Sequence, residues 1–481
     1  VGGTHEAHPL SGRRAKIVCT LGPASGGPER VAELARAGMD VARLNLSHGS
    51  RDDHARLVEA VEQARRATSR PLAVLADLQG PKLRIGTFAE GEVKLEEGRA
   101  FALDPDRETG GADGVSVSHA GLADDVEPGH AVLLSDGRVR LEVTGVSGRR
   151  VETRVLRGGA VPDRAGMNLP DSALDLPPLT EKDERDAALA LSLGVDWLAL
   201  SFVRSARDAE PLRRLMEREG RAVPVVAKIE RPEAVRELES VIAAFDGVMV
   251  ARGDLGVEVP LERVPLVQRR AIDLARTHAR PAIVATQMLD SMIQRATPTR
   301  AEVSDVATAV RDGADALMLS GETSIGAHPV EAVRVMDRIV RTIEADGPEP
   351  RPVASRGDRA DAVAASAIHL VRETGADGIA VFTASGSTAL RVARHRCPVP
   401  LVALTPDRAV RRKLQLVWGV ETEVIEPLDS SDRLVGVVDR VLQGRDRGWA
   451  GRQVVIVAGL PLRTPGLTNV LRLHEVGSAQ R

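Results

Sequence analysis

Short apolar runs, each closing on a polar residue, recur along the first two thirds of the chain. They cover Ala15–Thr20, Asp40–Ser47, Leu72–Asp77, Val195–Ser201, Val223–Lys228, Gly247–Asp254, Pro281–Thr286 and Asp315–Ser320. Runs this short and this rich in Val, Ala, Leu and Ile predict strands buried on both faces, the mark of a parallel sheet. Between them, Glu29–Ala37, Asp52–Arg66, Glu181–Leu193, Leu266–Ala279 and Arg300–Asp312 repeat their apolar residues at three and four, which predicts amphipathic helices. Eight such units predict an α/β fold built on a (β/α)8 TIM barrel.

The ends of the runs are spaced 27 and 30 residues apart, then 124 from Asp77 to Ser201, then 27, 26, 32 and 34. The long step sets an insertion of about 95 residues, 84–178, after the third strand. Its Gly, Val and Asp content and alternating runs such as Val139–Val143 and Val151–Val155 predict a small β domain, barrel or sandwich, expected to act as a lid. Residues 1–83 and 179–348 then form the barrel domain. Gly347–Arg359, rich in Pro, Arg and Gly, reads as a linker. Residues 357–481, with apolar runs Gly378–Phe382, Leu401–Leu404 and Val454–Val457, read as a C-terminal α/β domain.

Composition narrows the function classes. A chain of 481 residues suits about three domains. With 43% hydrophobic and 28% charged residues it can bury sizeable cores. A net charge of −3 argues against a nucleic-acid or membrane-surface partner. No apolar run is long enough for a membrane span, and Val1–Gly12 lacks a secretory core. Two cysteines, Cys19 and Cys397, give no disulfide framework, so a cytoplasmic location is expected. Of the 65 basic residues only six are lysines: Lys16, Lys82, Lys94, Lys182, Lys228 and Lys413. A retained lysine in so Arg-biased a chain marks a position where a compact charge is needed, or simple drift.

In such barrels chemistry gathers at the C-terminal strand ends. Here those ends carry Arg43, Asn45, Ser47 and His48; Asp77, Lys82 and Arg84; Lys228 and Glu230; Arg252, Gly253 and Asp254; Thr286; and Ser320. Glu230 and Asp254 lie on adjacent ends, and a carboxylate pair suits a hard divalent cation that keeps its other positions for water and substrate. Arg43, Arg84 and Lys228 face the same mouth. Cations beside such a pair describe a site for a phosphorylated anion. The alternative is a set of structural ion pairs closing the barrel.

These residues sit in five blocks: Val41–Gly49, Ala227–Glu230, Met249–Glu258, Ala285–Leu289 and Leu319–Thr323. In order and wording they resemble the pyruvate kinases, bacterial members in particular, over nearly the whole chain. The resemblance implies phosphoryl transfer from phosphoenolpyruvate to ADP, giving pyruvate and ATP. It implies that Lys228 stabilises the transferring phosphoryl group and the enolate, and that Arg43 contacts the phosphate. Glu230 and Asp254 would hold one Mg2+ (or Mn2+). Gly253 and Asp254, at a helix start, and Thr286 would receive the substrate carboxylate. Either Thr286 or a water relay through Ser320 would protonate the enolate. Asn45, His48, Arg84 and Lys182 would line the nucleotide phosphates. A homotetramer is implied as well.

Three departures stand out. The family's usual Asn after Lys-Ile-Glu is Arg231, expected to change only the local loop, and Ser324–Pro329 differs from the usual eighth loop. Where many members hold K+ through Asn, Ser, Asp and Thr oxygens with a nearby Glu, this chain has Asn45, Ser47 and Asp77 but Leu78, Gln79 and Lys82. Leu has no side-chain oxygen, and a lysine supplies the missing charge. The triple resembles the K+-independent members; the alternative is that Lys82 is a solvated loop lysine. In the C-terminal domain, Thr383, Ser385, Gly386, Ser387 and Thr388 follow a strand and open a helix. Such a loop can cradle an anion, and in the family it binds a phosphate of the allosteric activator; the alternative is an ordinary Ser/Thr cap. Ala384 lacks the Lys of sugar-bisphosphate-regulated members, which favours a monophosphate. Rival readings are a phosphohistidine dikinase, a Mg2+-dependent aldolase, or a sensor on an inactive barrel. No Thr-x-His loop supports the first, and intact Lys228, Glu230 and Asp254 oppose the last.

Overall fold

The computed structural model describes residues 12–172, 174, 176–347, 353, 357–428, 430, 432–444, 448–461 and 467–478. Eight parallel strands close into a barrel: β1 (Lys16–Thr20), β2 (Val41–Asn45), β3 (Ala73–Asp77), β4 (Trp197–Leu200), β5 (Val225–Ile229), β6 (Gly247–Ala251), β7 (Ala282–Ala285) and β8 (Ala316–Leu319). Each strand pairs with its sequence neighbours, and β8 returns to β1 through Lys16↔Ala316 and Cys19↔Leu319. All eight coincide with the expected apolar runs. The sixth ends earlier than its run, because Arg252–Glu258 turns into a helix and carries Asp254 with it.

The apolar runs work because alternate side chains face two different cores. Val18, Val41, Leu75, Trp197, Val226, Met249, Ile283 and Met318 fill the barrel interior. Their neighbours, such as Ile17, Ala42, Val74 and Leu198, pack outward against the helices. Caps fix where those helices begin: Ser50, Thr180 and Thr299 each close a capping box, on Asp53, Asp183 and Glu302.

Between β3 and the helix Glu181–Ser192 lies an all-β unit. Its main sheet has six strands, from Met167–Asn168 through Ala131–Leu134, Val139–Ser147, Arg150–Arg157 and Ala100–Leu103 to Gly114–Val115. Val139, Leu141 and Val143 are buried while Arg140 is exposed, the period of two that the sequence shows. This domain has its own core around Phe101, Leu103, Leu141 and Val155.

The C-terminal domain is a five-stranded sheet in the order Val420–Val424, Leu401–Thr405, Gly378–Phe382, Gln453–Ala458, Val470–Glu475, the last antiparallel. The two outer strands do not form apolar runs and are not visible in the sequence pattern. The expected linker 347–359 falls mostly outside the described residues, and the helix Arg359–Thr374 begins at its end.

This domain closes the floor of the barrel. Leu416, fully buried, joins the interior core, and the Trp197 indole donates to the Lys413 carbonyl at 3.1 Å. Arg396 grips Asp315 at the start of β8 through two bonds of 3.0 and 2.9 Å and lies 5.1 Å from the Trp418 ring centre. Arg412 reaches Asp196 at 2.7 Å. No helix among the described residues is long and apolar enough to cross a membrane.

Candidate active site

The barrel mouth is organised on Asp77, the 1% exposed last residue of β3. Its Oδ2 accepts from Arg43 Nε at 2.8 Å, and Arg43 Nη1 donates to Thr20 Oγ1 at 2.9 Å. Its Oδ1 faces Lys228 Nζ at 3.3 Å. Lys228 also donates to Ser201 Oγ at 2.7 Å and faces Glu230 Oε1 at 2.9 Å. Burial alone would lower the Lys228 ammonium, but Asp77 and Glu230 outweigh it and raise the group above the usual lysine range. Arg43 on β2 and Lys228 on β5 thus place two cationic side chains on the two oxygens of Asp77. Burial and Arg43 and Lys228 act oppositely on Asp77, and the cations prevail, holding its carboxyl below the usual range.

Glu230 has no exposed surface. Its Oε2 accepts from the Phe202 backbone at 2.8 Å, and its Oε1 is ion-paired with Lys228 Nζ at 2.9 Å. Burial pushes its carboxyl up, Lys228 opposes this, and the neighbouring Asp254 adds to it. A second cation would keep this carboxylate ionised. Asp254, in the first turn of Arg252–Glu258, has its Oδ1 3.3 Å from Lys82 Nζ. Two neighbouring carboxylates, Glu230 buried and Asp254 partly exposed, fit a hard divalent cation whose other ligands are substrate and water. Among the described residues no group of three or more His, Cys, Asp or Glu forms a closed metal cage.

Beside this pair, Thr286 Oγ1 accepts from the Gly253 N–H at 2.7 Å. Thr286 and Gln287 have φ of 69° and 55°. That is unusual for a β-branched residue and marks backbone held in place by its surroundings. Arg252 does part of the holding, donating to the Thr286 carbonyl at 2.8 Å. Ser320 follows β8; its hydroxyl is buried with no hydrogen-bond partner. Glu322 fixes both loops, accepting from Ser320 N at 2.7 Å and Leu289 N at 3.0 Å.

Asn45, His48 and Lys182 share one rim. The Asn45 side chain accepts from Ser47 N at 3.2 Å, His48 is exposed, and Lys182 donates to the Leu46 carbonyl at 2.6 Å. Arg84 is turned towards the inserted domain, where Nη1 donates to the Arg164 carbonyl at 3.1 Å. Leu78 is buried and offers no side-chain oxygen. The Lys82 side chain is 27% exposed, with its ammonium 3.3 Å from Asp254 Oδ1.

The loop Thr383–Thr388 lies in the C-terminal domain, away from this mouth. Its helix, Ser387–Ala393, starts on Gly386 at φ 90°, and Ser385 Oγ accepts from Ser387 N at 3.5 Å. Thr383 Oγ1 accepts from Gly386 N at 2.9 Å, and Thr388 is buried against Thr468 at 2.9 Å. Ser385 and Ser387 remain half-buried, with Lys413 Nζ 3.3 Å from the Ser385 carbonyl.

Sequence reasoning missed Thr20, Ser201 and Glu322 as supports, although Thr20 and Ser201 are themselves strand ends and so carried a signal. It also treated Arg231 as a loop change. The guanidinium is in fact buried, 4% exposed, and bonds Glu258 at 2.7 Å.

Comparison with known proteins agrees with this geometry. The family described as pyruvate kinase, barrel domain, matches residues 12–333, and pyruvate kinase, alpha/beta domain, matches 361–474. The chain is 48% identical to a pyruvate kinase of Corynebacterium glutamicum, covering 98% of this chain and 99% of the relative. It is 49% identical to one of Mycobacterium tuberculosis, with 97% and 99% covered. A crystal structure of a pyruvate kinase from Cryptosporidium parvum superposes with a TM-score of 0.89 at 30% identity, covering 97% of each chain. Fold, mouth and comparisons converge, and the chain belongs to the pyruvate kinase family of phosphotransferases.

Proposed function

We propose that the protein transfers the phosphoryl group of phosphoenolpyruvate to ADP, giving pyruvate and ATP, without K+ and under control of a phosphorylated activator. The observation that carries the reading is the joint anchoring of Arg43 and Lys228 on Asp77, with Glu230 and Asp254 alongside. Arg43 and Lys228 receive the substrate phosphate, and their guanidinium and ammonium neutralise charge as the P–O bond lengthens. Lys228 then holds the enolate oxygen left behind. Gly253, Asp254 and Thr286 orient the carboxylate end through backbone N–H groups at a helix start and a hydroxyl. The proton for the enolate carbon arrives from the Thr286 side or through the Ser320 hydroxyl. Asn45, His48, Lys182 and Arg84 bind the nucleotide phosphates. Glu230 and Asp254 would hold Mg2+ or Mn2+, which would supply positive charge to the transferring phosphoryl group.

Lys82 supports the K+-independent reading. Its fixed ammonium stands at the mouth where Leu78 removes a cation ligand. The half-buried Ser385 and Ser387 at a helix start support an anionic activator, a monophosphate in preference to a bisphosphate because Ala384 adds no charge. Exposed Leu261, Leu266 and Ile325 support assembly into a homotetramer. Two buried free thiols suit a reducing cytoplasm. The test is pyruvate formation coupled to lactate dehydrogenase, with and without ADP and Mg2+, in tetramethylammonium and in KCl at equal ionic strength. Pyruvate that appears without ADP, or no turnover with both substrates and Mg2+, would sink the reading.

A further inference from the structure

Between the inserted domain and the barrel lies a polar cluster that the reaction as described leaves unused. Arg231 directly follows Glu230 at the end of β5. Its Nη1 donates to Glu258 Oε1 at 2.7 Å, and its Nη2 reaches the Ser172 carbonyl at 3.3 Å and Glu233 at 3.2 Å. The same Glu258 oxygen accepts from Asn168 Nδ2 at 2.8 Å. Asn168 ends the last strand of the inserted domain, where the chain turns back to the barrel. Glu258 ends the helix Arg252–Glu258, four residues after Asp254. The three side chains thus tie together the inserted domain, the strand end bearing Glu230 and the helix bearing Asp254.

All three residues are buried: Asn168 is 8% exposed, Arg231 4% and Glu258 4%. Beside them is a cavity of about 30 Å3 lined in part by Arg231 and Glu258, and among the described residues Glu258 Oε2 and Arg231 Nε have no hydrogen-bond partner.

We propose that the Asn168–Glu258–Arg231 cluster is a joint through which the posture of the inserted domain positions the two metal-binding carboxylates. The reasoning is geometric. A hydrogen bond weakens steeply once it is stretched or bent. A shift of the inserted domain relative to the barrel therefore has two outcomes. It breaks the Asn168–Glu258 bond, leaving a buried carboxylate short of a donor, or it carries the helix Arg252–Glu258 along. The first outcome is penalised by burial. The second moves Asp254 and the Gly253 N–H relative to Glu230. Arg231 acts through Glu258 and is a positioning residue. The joint rests on the assignment of Glu230 and Asp254 as metal ligands.

The test is Mn2+ binding to the substrate-free full-length protein, read from the electron paramagnetic resonance of free Mn2+. Asn168→Ala, Arg231→Met, their double variant, Arg231→Lys and the control Asp254→Asn are compared at matched thermal midpoints. Asn168→Ala carries no charge and lies outside the metal site, yet should weaken Mn2+ binding at least fivefold, as should Arg231→Met. The double variant should be no weaker than the worse single, because both cut the same link. Arg231→Lys should fall between, since an ammonium lacks the guanidinium fork. The metal variants should also raise KM for the nucleotide more than they lower kcat. Parental Mn2+ affinity, within twofold, in folded Asn168→Ala with Asp254→Asn weakened overturns the joint alone. Unchanged affinity in Asp254→Asn overturns the metal assignment and the joint with it. If Arg231→Met does not fold, Asn168→Ala carries the decision.

Discussion

Replacing Arg396 with methionine should loosen the C-terminal domain from the barrel. Arg396 and Asp315 are 5% and 4% exposed and meet through two bonds of 3.0 and 2.9 Å. Nη2 of Arg396 also satisfies the Gly313 carbonyl at 2.6 Å. Removing one member of a buried pair costs about 3–5 kcal/mol, because the remaining charge stays buried. Asp315 would keep two backbone donors, Ala282 N and Trp418 N, both at 3.1 Å, so the low end applies. Trp418 would keep Arg14 on its ring at 5.3 Å, which limits the cation–π loss. The expected cost is ~3 kcal/mol, or about a hundredfold in the docked-to-undocked ratio. A chain of this size does not unfold in one step, so the readout must be local. The protein has three tryptophans, and in a Trp449→Phe background the remaining Trp197 and Trp418 both lie at the docking face. Urea titration followed by tryptophan emission should show a first transition displaced to lower urea in Arg396→Met. A first transition unmoved by the substitution, to within about 0.5 kcal/mol, would refute the clamp.

Other expectations follow from the same contacts. Lys228→Met should lower kcat by about 10^3 or more with the fold retained, and near-parental turnover in a verified sample would end its assignment. Leu78→Thr with Lys82→Glu should make K+ necessary; strong K+ activation of the unmodified protein, above the ionic-strength control, would contradict the K+-independent reading. Ser387→Glu should abolish activation by AMP or a sugar monophosphate without lowering kcat at saturating substrate, and full activation in that variant would place the effector elsewhere. His395 should make the protein acid-labile: burial and then the adjacent Arg394 lower its imidazole from 6.5 to about 4. It stays neutral in the folded chain while the unfolded chain takes up a proton. The stability it permits is therefore complete above pH 6.5 and is lost as pH falls towards 4, by at most ~3 kcal/mol. His395→Gln should flatten the midpoint-against-pH curve over that window, and an unchanged curve would assign the acid sensitivity to other groups.

Much of this site was legible because most of its central residues sit at or just past the end of a buried strand, and buried parallel strands write themselves as apolar runs. Where the pattern stopped, so did the reading. Val420–Val424 and Val470–Glu475 are edge strands whose alternate positions are charged or polar, Glu421, Glu423, Arg472 and His474, so neither forms a run. The sixth run continued past Ala251 because composition does not mark the change from strand to helix at Arg252. Contacts across long sequence separations were invisible altogether. Lys82 meets Asp254 across 172 residues and Asn168 meets Glu258 across 90, and nothing local in either stretch names its partner.

The floor of the barrel bears on how the chain acquires its structure during synthesis. All eight barrel strands have been made once residue 319 is in place, yet the interior they enclose is completed by Leu416. At about 5–20 residues per second, a ribosome needs roughly 5–20 s to add the intervening stretch. During that interval Trp197 and its neighbours lack their cover, and the nascent barrel presents an apolar opening to the surrounding solution. Arrested chains ending before Leu416 should therefore show Trp197 emission that is quenched by acrylamide, and chains extended past Val424 should not. Equal protection at both lengths would mean that the barrel seals its own floor.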